Sequence, residues 1–153
     1  MTSQGSETEV LSANECWKLL RSTSVGRLAL WVDDHPDIFP VNYAVDHGTV
    51  VFRTAEGTKA TAALGEVPVA LEADGVSTHD GQQAWSVVIK GRAETVQRTD
   101  ELLKTIALPI HPWQSGRKDR LVRIVPEVVT GRRFPIAAPV TEFGIIPSHS
   151  AEE

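Results

Sequence analysis

The segment "GRLALWV" alternates. Leu28, Leu30 and Val32 fall on one side, Ala29 and Trp31 on the other. A period of two marks a strand with one buried face. The same reading gives strands over Ile38–Val45, Thr49–Thr54, "VPVALEAD", "AWSVVIKGRAETV" and "DRLVRIVPEVVTGRRF", the last interrupted at Pro126. Gly91 sits where a bulge or bend is natural. "DDHPD" and Asp46-His47-Gly48 are turns by composition, with Gly48 suited to positive φ. "GVSTHDGQQ" reads as a polar loop, and "LPIHPWQSG" as a loop carrying two prolines.

Three short stretches change to a helical period. Ser12 with Glu15 fits a capping box and opens a helix carrying Trp17, Leu19 and Leu20. Thr58–Leu64 is alanine-rich, and Thr99–Leu108 is capped. Six or seven strands joined mostly by hairpins, without long βαβ alternation, predict antiparallel pairing. The expected fold is mainly β, a β-barrel or α+β domain with peripheral helices. Residues 1–10 and 147–153 are polar and expected to be disordered, leaving 11–146 as one domain.

Composition narrows the partners. The chain has 153 residues, 41% apolar and 23% charged, which suits one soluble domain. Its net charge of -5 gives no chain-wide basic footprint, so no nucleic-acid partner is expected. No apolar run nears the ~20 residues that span a bilayer, so no membrane partner is expected either. The start, "MTSQGSETEV", lacks the basic and apolar regions of a signal peptide, which makes the cytoplasm the expected location. One cysteine, Cys16, cannot form an intrachain disulfide and reads as a buried inert thiol.

Motifs for hydrolysis, zinc binding or a Rossmann dinucleotide site are absent from the sequence, and the five histidines are scattered. Attention falls instead on "FRTAEGTKATAAL". A helix mouth at Thr58 exposes N–H groups and partial positive charge. Lys59 adds a cation beside it, and Arg53 and Thr54 converge from the preceding strand. That set suits a phosphate, although a capped helix with solvated cations fits the same residues. In "FPVNYAV", alternation puts Val41, Tyr43 and Val45 opposite Asn42 and Ala44. Its backbone could serve a flat heterocycle or simply belong to a barrel wall. Trp85 and Ser86 open a strong strand, as a stacking platform or as a core tryptophan with a polar neighbour. Trp113, between prolines and the Arg117–Arg120 cations, suits a lid or interface, or a solvated face.

In this order, "SVGRLAL", "FPVNYAVDHGTVVFRTAEGTK" and "AWSVVIKGRA" closely resemble the pyridoxamine 5′-phosphate oxidase-like proteins, in the branch that includes bacterial nitroimidazole-reductase-like flavoproteins. The likeness spans about residues 12 to 134. It implies a split β-barrel that forms a homodimer with FMN at the subunit interface. By position, Val41, Asn42 and Tyr43 would lie along the flavin edge. Arg53, Thr54, Thr58 and Lys59 would hold the phosphate and ribityl end. Trp85 and Ser86 match a flavin-contacting strand, and Trp113 would reach in from the other subunit. The function implied is an FMN-dependent oxidoreductase acting on a small molecule through flavin N5, with no side chain singled out as catalytic. A non-catalytic flavin, deazaflavin or haem carrier is the alternative. "TGRRFPIAAPV" is only loosely like the substrate segment of the oxidase proper, so pyridoxamine phosphate is not the expected substrate.

Overall fold

The structure, a computed structural model, describes residues 7–55, 67–77, 82–96 and 119–136. Ser12 caps α1 (Ala13–Arg21) as the sequence predicts: its hydroxyl accepts from the Glu15 N–H, and the Glu15 carboxylate accepts from the Ser12 N–H. The helix buries Cys16 and Leu20 completely. Burial pushes the Cys16 thiol up in pKa, with the Glu15 charge adding to it. The helices expected over Thr58–Leu64 and Thr99–Leu108 lie outside the described residues.

Among the described residues there are seven strands, β1 (Glu9–Val10), β2 (Val25–Val32), β3 (His35–Asp46), β4 (Thr49–Ala55), β5 (Val67–Ser77), β6 (Gln83–Thr95) and β7 (Asp119–Pro135), the last six in the expected order. They pair in the order β1-β7-β4-β3-β2-β5-β6, and β6 returns to β7, so six of them close a barrel. Every pairing is antiparallel. Inward positions alternate as the sequence implies. Leu28, Leu30, Tyr43, Phe52, Leu71, Val87, Ile89 and Ile124 form the core.

Four boundaries differ from the sequence reading. Glu9 and Val10, assigned to a polar tail, pair with Arg133 and Arg132. The turn in "DDHPD" is only Asp33-Asp34, both at positive φ, and Val32 already faces His35. Two left-handed residues give a primed hairpin whose twist matches that of the strands, so His35–Asp37 join β3. The polar loop after β5 starts later, because Gly75–Ser77 still pair with β6. Finally, Pro126 does not interrupt β7. It faces Gly91 at a register shift between Lys90 and Gly91, a place where the ladder can do without an N–H. A Cβ on Gly91 would stand 2.1 Å from the Val125 carbonyl oxygen, so only glycine fits this close crossing.

Candidate functional site

Two strands that share a ladder part company in mid-course. β3 pairs with β4 only from Asp46↔Thr49 to Tyr43↔Phe52. Beyond that point β3 stays with β2, from Asn42↔Val25 to His35↔Val32. β4 stays with β7, from Arg53↔Leu121 to Ala55↔Asp119. A crevice therefore opens between Val41-Asn42 and Arg53-Thr54, at the split of the barrel. The two strands bring these sequence-predicted residues together although eleven positions separate Asn42 from Arg53.

Side-chain direction sorts the candidates. Val41 (5% exposed) and Tyr43 (2%) point into the core. The Tyr43 hydroxyl donates to the Leu20 carbonyl at 2.7 Å, which satisfies a last-turn acceptor of α1. Burial pushes this phenol far above its ordinary pKa. Any role of Val41 and Tyr43 at the crevice is therefore through backbone. Asn42 and Arg53 each follow or precede an inward residue and so face outward. On that face Val51, Val96 and Leu121 make a small second cluster against Ala44. Arg53 lies beside it, next to Leu121 across the ladder. Its Nε is buried and has no hydrogen-bond partner among the described residues. A buried guanidinium donor without an acceptor is costly, which makes it a marker for an anion. Thr58 and Lys59 lie outside the described residues, as does Trp113.

Trp85 and Ser86 separate by strand alternation. Trp85 (7% exposed) belongs to the core and packs on Gly75, where a Cβ would meet its indole Nε1 at 2.8 Å. Ser86 faces outward and donates to Glu72 Oε2 at 2.9 Å. Glu72 and Asp74 in turn accept from Arg27, at 3.2 and 3.3 Å. The sequence analysis did not single out this Arg27–Glu72–Asp74–Ser86 group. The alternation of "VALEAD" around inward Leu71 and Ala73 was the available signal. Ser86 pairs with Asp74 on β5, and its hydrogen-bond partner Glu72 lies opposite Arg27, which faces Pro40 on β3, two residues from Asn42.

At the other end of the β3–β4 ladder, Arg123 joins Asp46 at 2.9 Å and donates to Thr49 Oγ1 at 2.7 Å. His47 Nδ1 lies 2.9 Å from the same carboxylate. Burial alone would raise the Asp46 pKa, but the hydrogen bonds and charges of Arg123 and His47 outweigh it and hold the carboxyl below its usual range. This group fastens a hairpin to β7 and stands apart from the crevice. Among the described residues, no group of His, Cys, Asp and Glu could hold a metal ion. Nor is any described helix long and apolar enough to cross a membrane.

Comparison with known proteins agrees with this fold. The sequence profile of the pyridoxamine 5′-phosphate oxidase family matches residues 12–133. A protein of Mycobacterium tuberculosis with no assigned function is 35% identical over 133 residues, covering 84% of this chain and 86% of its own length. The FAD binding protein from Mycobacterium smegmatis superposes with a TM-score of 0.72 at 42% identity, over 82% of this chain and 98% of that one. An FAD-binding protein from Mesorhizobium loti does so with a TM-score of 0.66 at 27% identity, over 82% and 97%.

Proposed function

Because the chain belongs to the pyridoxamine 5′-phosphate oxidase family and folds as its split β-barrel, we propose that it is a flavoprotein oxidoreductase acting on a small molecule, with FMN held in the crevice between β3 and β4. The observation that carries this reading is the buried, unpartnered Nε of Arg53 at that crevice. A flavin phosphate supplies the missing acceptor with a charge-assisted bond. Thr54 follows at the strand end, Thr58 and Lys59 complete the phosphate seat, and Asn42 meets the polar edge of the ring. The backbone of Val41 and Tyr43 borders the same edge.

When bound, the flavin supplies the redox chemistry through its ring. The chain supplies position and charge. Arg53 orients the phosphate end, and the apolar cluster of Val51, Val96 and Leu121 shields that contact from water, which strengthens it. Two copies of the chain share the sites. Ser86 contacts the flavin from β6, and Trp113 serves from the second subunit. FAD is the second reading, favoured by the 42% identical FAD binding protein of M. smegmatis. Both flavins carry a phosphate on the ribityl chain, so the Arg53 contact suits either.

The test is a flavin titration followed by fluorescence, with FMN, FAD and riboflavin as ligands. Arg53→Ala is expected to weaken FMN binding roughly tenfold to a hundredfold, the effect of one charged hydrogen bond worth about 1.5–3 kcal/mol. Riboflavin, lacking the anion, should bind weakly to both proteins. Unchanged FMN affinity in the variant would remove the phosphate assignment. A tighter fit for FAD would select the second reading.

A further inference from the structure

The neighbours of Ser86 decide where its hydroxyl proton points. Ser86 lies outward on β6, between inward Trp85 and Val87. Its Oγ donates to Glu72 Oε2 at 2.9 Å, and among the described residues this is the one hydrogen bond of its side chain. A hydroxyl has one proton and two lone pairs, whereas a carboxylate only accepts. The proton therefore goes to Glu72, and the lone pairs of Oγ remain for a ligand.

The carboxylate is itself held. Arg27 Nη1 donates to Glu72 Oε1 at 3.2 Å and to Asp74 Oδ1 at 3.3 Å. Glu72 pairs with Arg27 on β2 and with Val88 on β6, so it stands between the cation and the hydroxyl. One of its oxygens serves the guanidinium and the other serves Ser86. Bonds to charged groups are the stronger class, and they fix the direction of the rotor. The sheet has little need of this tie, because β5 and β6 already pair without a break from Val67↔Ala93 to Ser77↔Gln83.

We infer that Ser86 meets the flavin as a hydrogen-bond acceptor from the ring N3–H, with Glu72 as the positioning residue that sets this polarity. This rests on the flavin reading above, in which Ser86 contacts the cofactor, and adds the atom it reads. The polar edge of an oxidised flavin carries carbonyl oxygens and unprotonated nitrogens, which accept, and a single N–H, at N3, which donates. An oxygen that has given its proton to Glu72 suits only the N3–H. FMN and FAD share the ring, so the contact serves either flavin. Glu72→Gln reverses the polarity at nearly constant shape. Arg27 has donors only, so the amide oxygen turns to Arg27 and the amide nitrogen to Ser86. That nitrogen donates to Oγ and leaves the Ser86 proton facing the ligand.

The experiment is a fluorescence titration with FMN and with 3-methyl-FMN, in which a methyl group replaces the N3 proton. The parent, Ser86→Ala and Glu72→Gln are compared, and circular dichroism checks that each is folded. The parent is expected to bind 3-methyl-FMN roughly tenfold more weakly than FMN. Ser86→Ala removes the acceptor and leaves room for the methyl group, so the two ligands should bind it within about threefold of each other. Glu72→Gln should lose FMN affinity and close the gap in the same way. Altered packing or charge at these positions would weaken both ligands alike and leave their ratio unmoved. A parent that binds both ligands equally, or a folded Ser86→Ala that still discriminates tenfold, overturns the acceptor role while the flavin reading stands. A folded Glu72→Gln that keeps the gap overturns the positioning role of Glu72. A parent that binds no FMN fails the flavin reading and the Ser86 contact together.

Discussion

Tyr43 shows how much one side chain can settle. Its ring fills the core at 2% exposure, and its hydroxyl reaches across to the last turn of α1. Tyr43→Phe keeps the ring and removes the donor, leaving the Leu20 carbonyl short of a partner. We expect a loss of about 1–2 kcal/mol, read as a lower urea midpoint at unchanged m-value. Asp46 is the residue to watch in acid. Its folded pKa lies below the unfolded value, so its contribution to stability is fully present above the unfolded pKa and is lost as pH falls through the folded one. The parent should therefore lose stability below about pH 4 more steeply than Asp46→Asn. Urea midpoints between pH 6 and pH 2.5 make the comparison. Parallel curves for the two proteins would show that the pair with Arg123 does not govern acid stability.

Elements in this chain are set by local pattern and then adjusted by their partners. β6 and β7 cross closely at Gly91 and Pro126, where β7 carries one extra residue, Glu127, beside a proline that lacks an N–H. A methyl group at 91 would meet the Val125 carbonyl oxygen and the Pro126 Cα, both backbone atoms that cannot swing aside. Gly91→Ala should cost ~1–3 kcal/mol as overpacking, measured by denaturant unfolding, and a variant as stable as the parent would show that the crossing can relax. Helix α1 is the opposite case. Its capping box lies within four consecutive residues, so Ser12 and Glu15 were legible in the sequence. The two hairpins were only half legible. Composition located them, but the positive φ of Asp33 and Asp34 decided that His35–Asp37 belong to a strand.

At the scale of the whole molecule, closure and splitting matter together. The barrel closes through β6 and β7, yet its ladders stop short between β3 and β4 and between β2 and β5. One opening holds the Arg53 crevice and the other the cleft lined by Trp31. The sequence by itself determined the strands, their antiparallel hairpins, the buried faces and the capped helix. These follow from side-chain period and turn chemistry, which act between near neighbours. The ordered motifs also identified the family, and Arg53 was chosen from them. Only the tertiary structure decided which candidates meet. Alternation drove Tyr43 and Trp85 inward and left Ser86 outward, bonded to Glu72 on the neighbouring strand. Where each ladder ends was equally hidden, because it depends on how far two paired strands stay side by side before twist and curvature separate them. That is a property of the closed barrel, and no single segment carries it.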